Sequence, residues 1–165
     1  MSSMLKNLSA ERCALIICLA CGALLSVALI MEHVMGLAPC PLCMMQRLWV
    51  FAVGLIAYIS LLHNPRWGIY PLLGSLAALI GAGFSIRQLW LQGLPDDEKP
   101  ACGAPLQYLL DGNQFSEALS AMTSGTGDCA QVSWSLLGVS IPGWVLLGFV
   151  ALLAANILQL RQGTR

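Results

Sequence analysis

Cys40 and Cys43 stand three positions apart in the stretch APCPLCMMQR (residues 38–47), with Pro41 between them and Arg47 following. Cysteine acts as a nucleophile in its thiolate form, which helix N-termini and neighbouring cations favour. A helix that begins near Pro41, a residue tolerated in the first helical turn, puts Cys43 at the positive end of the backbone dipole. Arg47, at i+4 from Cys43, is expected on the same helix face. This arrangement suits dithiol–disulfide exchange. A CxxC bridge closes too small a loop to add much entropic stabilisation, so a purely structural bridge is the weaker reading.

Cys102 and Cys129 supply a second pair. Cys102 follows LPDDEKPA and Cys129 follows TSGTGD. Proline, acidic, glycine and small residues mark both stretches as exposed, mobile loops. Two dithiol pairs suggest a relay, because thiol–disulfide exchange runs through mixed disulfides from pair to pair. The relay needs a final acceptor for two electrons. Met44 follows Cys43, so there is no CxxCH haem pattern, and no Gly-rich dinucleotide fingerprint is present. An acceptor dissolved in a bilayer needs no such motif, and a membrane quinone fits. Arg47 is then placed to offset negative charge developing on a quinone oxygen. Zinc is the competing use of CxxC. Cys102 and Cys129 do not form a second short-spaced pair, and an arginine is a poor neighbour for a dication, so no metal is expected.

These cysteines need elements to position them. The 165-residue chain is 58% hydrophobic and only 10% charged, and its mean hydropathy is +0.76. Its net charge of zero offers no basic footprint for nucleic acid. Apolar stretches at about 13–31, 42–62, 67–86 and 142–160 suit helices crossing a hydrocarbon core of roughly 30 Å. The expected fold is all-α: one polytopic membrane domain over 1–165, a four-helix bundle with outer loops at about 32–41 and 87–141. The first stretch exceeds a signal-peptide h-region, so it is expected as a retained span. Leu106, Leu109, Leu110, Phe115, Leu119 and Met122 recur partly with helical spacing. They suggest a short helix in the long loop, lying on the membrane or packed against the bundle.

Four spans put both termini on one side, with Lys6, Arg12, Arg66, Arg161 and Arg165; Arg47, Arg87 and Lys99 lie on the other. The positive-inside rule therefore favours cytoplasmic termini. All four loop cysteines then face an oxidising compartment, where disulfides persist. Cys13, Cys18 and Cys21 fall inside the first span and read as small hydrophobes. The small residues of GSLAALIGAG in the third span suit close helix packing.

Taken together, PCPLCMMQR, the lone AC at 101–102 and SGTGDCAQVSWSLLGVSIPGW before the fourth span resemble the disulfide bond formation protein B (DsbB) family. The resemblance runs from about residue 12 to residue 160. It implies an inner-membrane bundle that reoxidises DsbA, a periplasmic thioredoxin-like dithiol oxidase, and passes the electrons to ubiquinone or menaquinone. Carried over, Cys102 receives the partner's cysteine, Cys129 is its loop partner and exchanges with Cys40, and Cys43 faces the quinone beside Arg47. Some members carry a histidine near the end of the third span, where this chain has Gly93. Arg87, Gln88, Trp90 or Gln92 could line the pocket instead, although Arg87 is better suited to an interfacial snorkelling anchor. A vitamin K epoxide reductase-like enzyme and a metal-binding membrane scaffold are the alternative readings.

Overall fold

A computed structural model describes residues 9–103, 108, 112 and 115–163. Four long helices dominate it: α1 (Ala10–His33), α2 (Pro41–His63), α3 (Ile69–Gln92) and, after the long loop, α6 (Ile141–Gly163). Each is long and apolar enough to cross a bilayer. The loop between α3 and α6 holds α4 (Phe115–Ser124), the short α5 (Gly127–Ala130) and a hairpin of β1 (Ser135–Leu136) and β2 (Val139–Ser140). Ser135 pairs with Ser140 and Leu136 with Val139 in that antiparallel hairpin.

Local chemistry sets the helix ends. Ser9 caps α1 by accepting from the Arg12 amide at 3.4 Å. Pro41 opens α2, and α2 stops before Asn64-Pro65, where the residue before a proline is pushed into extended backbone. The third helix does not stop at Ile86. It runs on through Arg87–Gln92, which contain no breaker, and ends at Gly93, whose amide donates to the Leu89 carbonyl at 3.1 Å. Residues 87–92 are therefore helical, not loop, and this extension brings Gln88 to the site described below.

The helices form a square, with α1 against α2, α2 against α3, α3 against α6 and α6 against α1. Ile17, Cys21, Val50, Val53, Ala77, Ala78, Phe149 and Leu152 fill the centre. Lipid tails are as apolar as these side chains, so close backbone approach and van der Waals fit must hold the bundle. Gly81 shows how close that approach is: a Cβ there would stand 2.2 Å from the Phe149 ring. Leu19, Phe51, Leu72, Leu76 and Leu147 point outward, as lipid-facing residues should. Gln159, buried in α6, donates to Ser60 Oγ and the Pro65 carbonyl, both at 3.2 Å, whereas the buried Trp49 Nε1 has no hydrogen-bond partner among the described residues.

The helix expected in the long loop is α4. Ala118 and Ala121 face inward while Phe115 and Leu119 stay exposed, and the helix packs against α2. Leu106, Leu109 and Leu110 lie outside the described residues. Arg87 fastens the end of α4: its Nε donates to the Ser124 carbonyl at 3.2 Å, and its guanidinium lies 4.6 Å from the Trp90 ring centre. These contacts anchor α4 to α3, and Arg87 also lines a shallow cavity with Ile80, Gly83, Phe84 and Thr123. Gln92 likewise accepts from Ser140 Oγ at 2.7 Å and donates to the Gln131 carbonyl at 3.5 Å, which ties the hairpin and α5 to α3.

Candidate functional site

Cys40 is the N-cap of α2. Its backbone is extended, and its Sγ accepts from the Cys43 amide at 3.3 Å, the capping geometry that an oxygen usually supplies. The cap turns the Cys40 side chain back over the first turn, where the sulfurs of Cys40 and Cys43 come within 2.7 Å. An S–S bond of about 2.05 Å needs only a small adjustment from there.

Cys129 reaches the same place from the other end of the long loop. Its short helix α5 lies against the outer ends of α2 and α3, where Cys129 is wholly buried with Leu42, Leu91 and Ala130. This corrects the expectation that both loop cysteines are exposed. The GTGD stretch is polar in sequence, but its turn buries the following Cys-Ala against two leucines. The Cys40 thiol donates to Cys129 Sγ. That hydrogen bond, with help from backbone amides, brings the Cys129 pKa down to about 6. The same contact, followed by the one with Cys43 and by burial, pushes the Cys40 thiol up. Of these two, Cys129 carries the charge.

Cys102 remains on the surface. It is held next to α5 through backbone: the Gly127 amide donates to the Ala101 carbonyl at 3.0 Å. A Cβ at Gly127 would stand 2.4 Å from the Pro100 carbonyl oxygen and 2.9 Å from the Cys102 nitrogen, so only glycine allows this approach. The Asp128 carboxylate accepts from the Cys102 thiol, and this bond and the negative charge push the thiol up. Asp128→Asn should lower the pH midpoint for alkylation of Cys102 and raise its rate at pH 7.5 by up to about fivefold, the scale of one exposed charge interaction. An unchanged pH profile, followed by peptide mass spectrometry, would remove Asp128 from this account.

Two glutamines complete the site. Gln46 on α2 and Gln88 on α3 are each only 3% exposed. Gln46 Nε2 donates to Gln88 Oε1 at 2.7 Å. Gln88 Nε2 in turn donates to Cys40 Sγ at 3.2 Å and to Cys43 Sγ at 3.3 Å. Sequence reading offered Gln88 only as one of several pocket residues and missed Gln46. A polar residue inside an otherwise apolar helical run was the available signal, since such residues in membrane helices need a partner.

Arg47 diverges from Cys43. It forms an ion pair with Glu32 near the end of α1, and its Nη2 donates to the Ala28 carbonyl at 3.1 Å. Helix residues rotate by about 100° each, so i+4 lies roughly 40° to one side of Cys43 and i+3 roughly 60° to the other. Because α2 sits between α1 and α3, the i+4 Arg47 reaches α1 while the i+3 Gln46 reaches α3. Shared face in sequence therefore becomes separate neighbours in the bundle. Among the described residues, no group of three His, Cys, Asp or Glu side chains is arranged to hold a metal ion.

The chain matches the family model described as Disulfide bond formation protein DsbB over residues 10–159. It is 46% identical over 154 residues to a protein named Disulfide bond formation protein B from Saccharophagus degradans, covering 92% of this chain and 93% of the relative. A protein of the same name from Methylococcus capsulatus is 47% identical, with 92% and 94% covered. One from Acinetobacter baumannii is 43% identical, with 82% of each covered. No solved structure matches.

Proposed function

This chain belongs to the disulfide bond formation protein DsbB family, and on that premise we propose that it oxidises a DsbA-like dithiol protein and delivers the electrons to a membrane quinone. It is a membrane oxidoreductase of disulfide formation. Family membership sets aside the vitamin K epoxide reductase-like and metal-scaffold readings. Its place is the bacterial inner membrane, with cytoplasmic termini, the four loop cysteines on the periplasmic side and all of 1–165 acting as one domain. The single observation that carries the reading is the position of Cys40, whose sulfur contacts both Cys43 and Cys129.

The chemistry of each thiol supports one order of exchange. The resting protein holds Cys102–Cys129 and Cys40–Cys43 disulfides. A partner thiolate attacks Cys102, the exposed sulfur. A partner–Cys102 bond forms, the Cys102–Cys129 bond breaks, and Cys129 leaves as a thiolate. A lower-pKa thiol leaves faster, and Cys129, at about 6, is the better leaving group beside the raised Cys102. The partner's second thiol then displaces Cys102, which completes the partner's disulfide. The Cys129 thiolate attacks Cys40, an S–S bond forms between them, and Cys43 leaves as a thiolate. The freed Cys102 thiolate then attacks Cys129, which re-forms Cys102–Cys129 and releases Cys40. Cys40 and Cys43 are now a dithiol, and it would give two electrons and two protons to the quinone as the Cys40–Cys43 bond re-forms.

Cys43 and Arg47 would hold the quinone at the outer end of α2, the arginine offsetting negative charge on its oxygen. Glu32 keeps that guanidinium at the edge of the bundle. The test is optical: purified full-length protein with reduced DsbA and a soluble ubiquinone analogue should reduce one quinone per partner dithiol over many turnovers. Folded protein that turns over neither ubiquinone nor menaquinone analogues would overturn the reading.

A further inference from the structure

We propose that Gln88 is a positioning residue for the Cys40–Cys43 pair, its amide donating to both sulfurs and favouring their reduced state, with Gln46 fixing the amide's orientation. The inference rests on the reading of Cys40 and Cys43 as a redox pair, and it gives that pair a control that neither Arg47 nor the loop cysteines supply. Gln88 Nε2 stands 3.2 Å from Cys40 Sγ and 3.3 Å from Cys43 Sγ, placed between them on the adjoining helix. Its Oε1 accepts from Gln46 Nε2 at 2.7 Å and, at the longer distance of 3.6 Å, from the Cys43 thiol, so the donor end of the amide is the group nearer to both sulfurs. Both glutamines are almost fully buried, where a hydrogen bond is stronger than in water and an unmet one is costly.

A donor aimed at two sulfurs does not act equally on the two redox states. A thiolate is a strong acceptor and a disulfide sulfur a weak one, because charge-assisted hydrogen bonds are about twice as strong as neutral ones. Gln88 therefore stabilises the dithiol form relative to the disulfide. Reduction of the pair breaks the Cys40–Cys43 bond and adds two electrons from an external dithiol, which is itself oxidised to a disulfide. Gln88 neither gains nor loses a covalent bond in this exchange. It sets the equilibrium constant.

The experiment needs neither partner nor quinone. Full-length protein carrying Cys102→Ser and Cys129→Ser is equilibrated in graded reduced and oxidised glutathione, quenched by alkylation, and the Cys40–Cys43 peptide is quantified by mass. Gln88→Met keeps the length of the side chain and removes the donor. It should shift the equilibrium toward the disulfide by about tenfold, the worth of a hydrogen bond to a charged group. Gln46→Met should shift it the same way by less. Gln88→Glu supplies a readout that a merely structural role would not: a disulfide-favouring shift that grows as pH rises and the carboxyl loses its proton, and shrinks again as the protonated carboxyl donates. If folded Gln88→Met has an equilibrium constant within twofold of the parent's, the positioning role is wrong while the redox pair stands. If the parent pair stays a dithiol throughout the oxidising series, the redox reading and this inference fall together.

Discussion

Cys43→Ser abolishes quinone reduction in protein supplied with reduced DsbA and a soluble ubiquinone analogue. The Cys40 and Cys43 sulfurs stand 2.7 Å apart at the start of α2, and Cys43 is the member of the pair that leaves when Cys129 attacks Cys40. A serine hydroxyl cannot form or release an S–S bond. Loss of at least roughly three orders of magnitude in turnover is expected, the scale seen when a nucleophile is deleted from a unit that works together. The variant should still accept one pair of electrons: Cys102 and Cys129 exchange with the partner once and then stop. Cys40, Cys102 and Cys129 are then all thiols, and alkylation followed by mass spectrometry should find no bridge among them. Cys21→Ala, in the bundle core against Gly54, is the control and keeps full turnover. Turnover in Cys43→Ser above a few per cent of the parent would remove Cys43 from the electron path.

Cys129→Ser should be as damaging, for a different reason. Without it Cys102 has no bridge for the partner to open, and nothing in the loop carries electrons to Cys40. Turnover again falls by roughly three orders of magnitude or more. Mixed with oxidised DsbA, the variant should accumulate a covalent Cys102–partner complex that thiol reductant releases. Full activity would sink the two-pair relay. The same residue predicts a pH effect in the reduced parent. Its pKa, about 6 when folded, lies below the ordinary thiol value of about 8.5. A group whose pKa is depressed by folding contributes stability above its unfolded value and loses it as pH falls through the folded one. The melting temperature of the reduced protein should therefore rise from pH 6 to pH 8.5. The gain should be smaller in Cys40→Ala, which lacks the thiol that donates to Cys129. An equal gain in both would mean that the Cys40 contact does not hold the Cys129 charge.

The spans were legible because they are local facts. Four apolar runs of sufficient length in a chain with 10% charged residues admit a helical bundle and little else. The α2 start was legible for the same reason: Pro41 sets the first turn, and the cap and CxxC lie within one turn of each other. The sequence also held all four loop cysteines and the polar residues Gln46 and Gln88 in plain view. What it could not hold was their company. Which neighbour a side chain meets depends on how α2 is rotated between α1 and α3, and a difference of one position turns a residue by about 100°. That rotation sends Arg47 to Glu32 and Gln46 to Gln88. Likewise, the polar letters around Cys129 describe a loop, while its burial comes from Leu42 and Leu91, far away in the chain. Composition and spacing determined that this is a membrane bundle with thiols at one end. Only packing between distant helices decided that Cys40 meets Cys129 as well as Cys43, and that a buried amide faces both sulfurs of the CxxC pair, because those contacts are set by long-range fit and not by local periodicity.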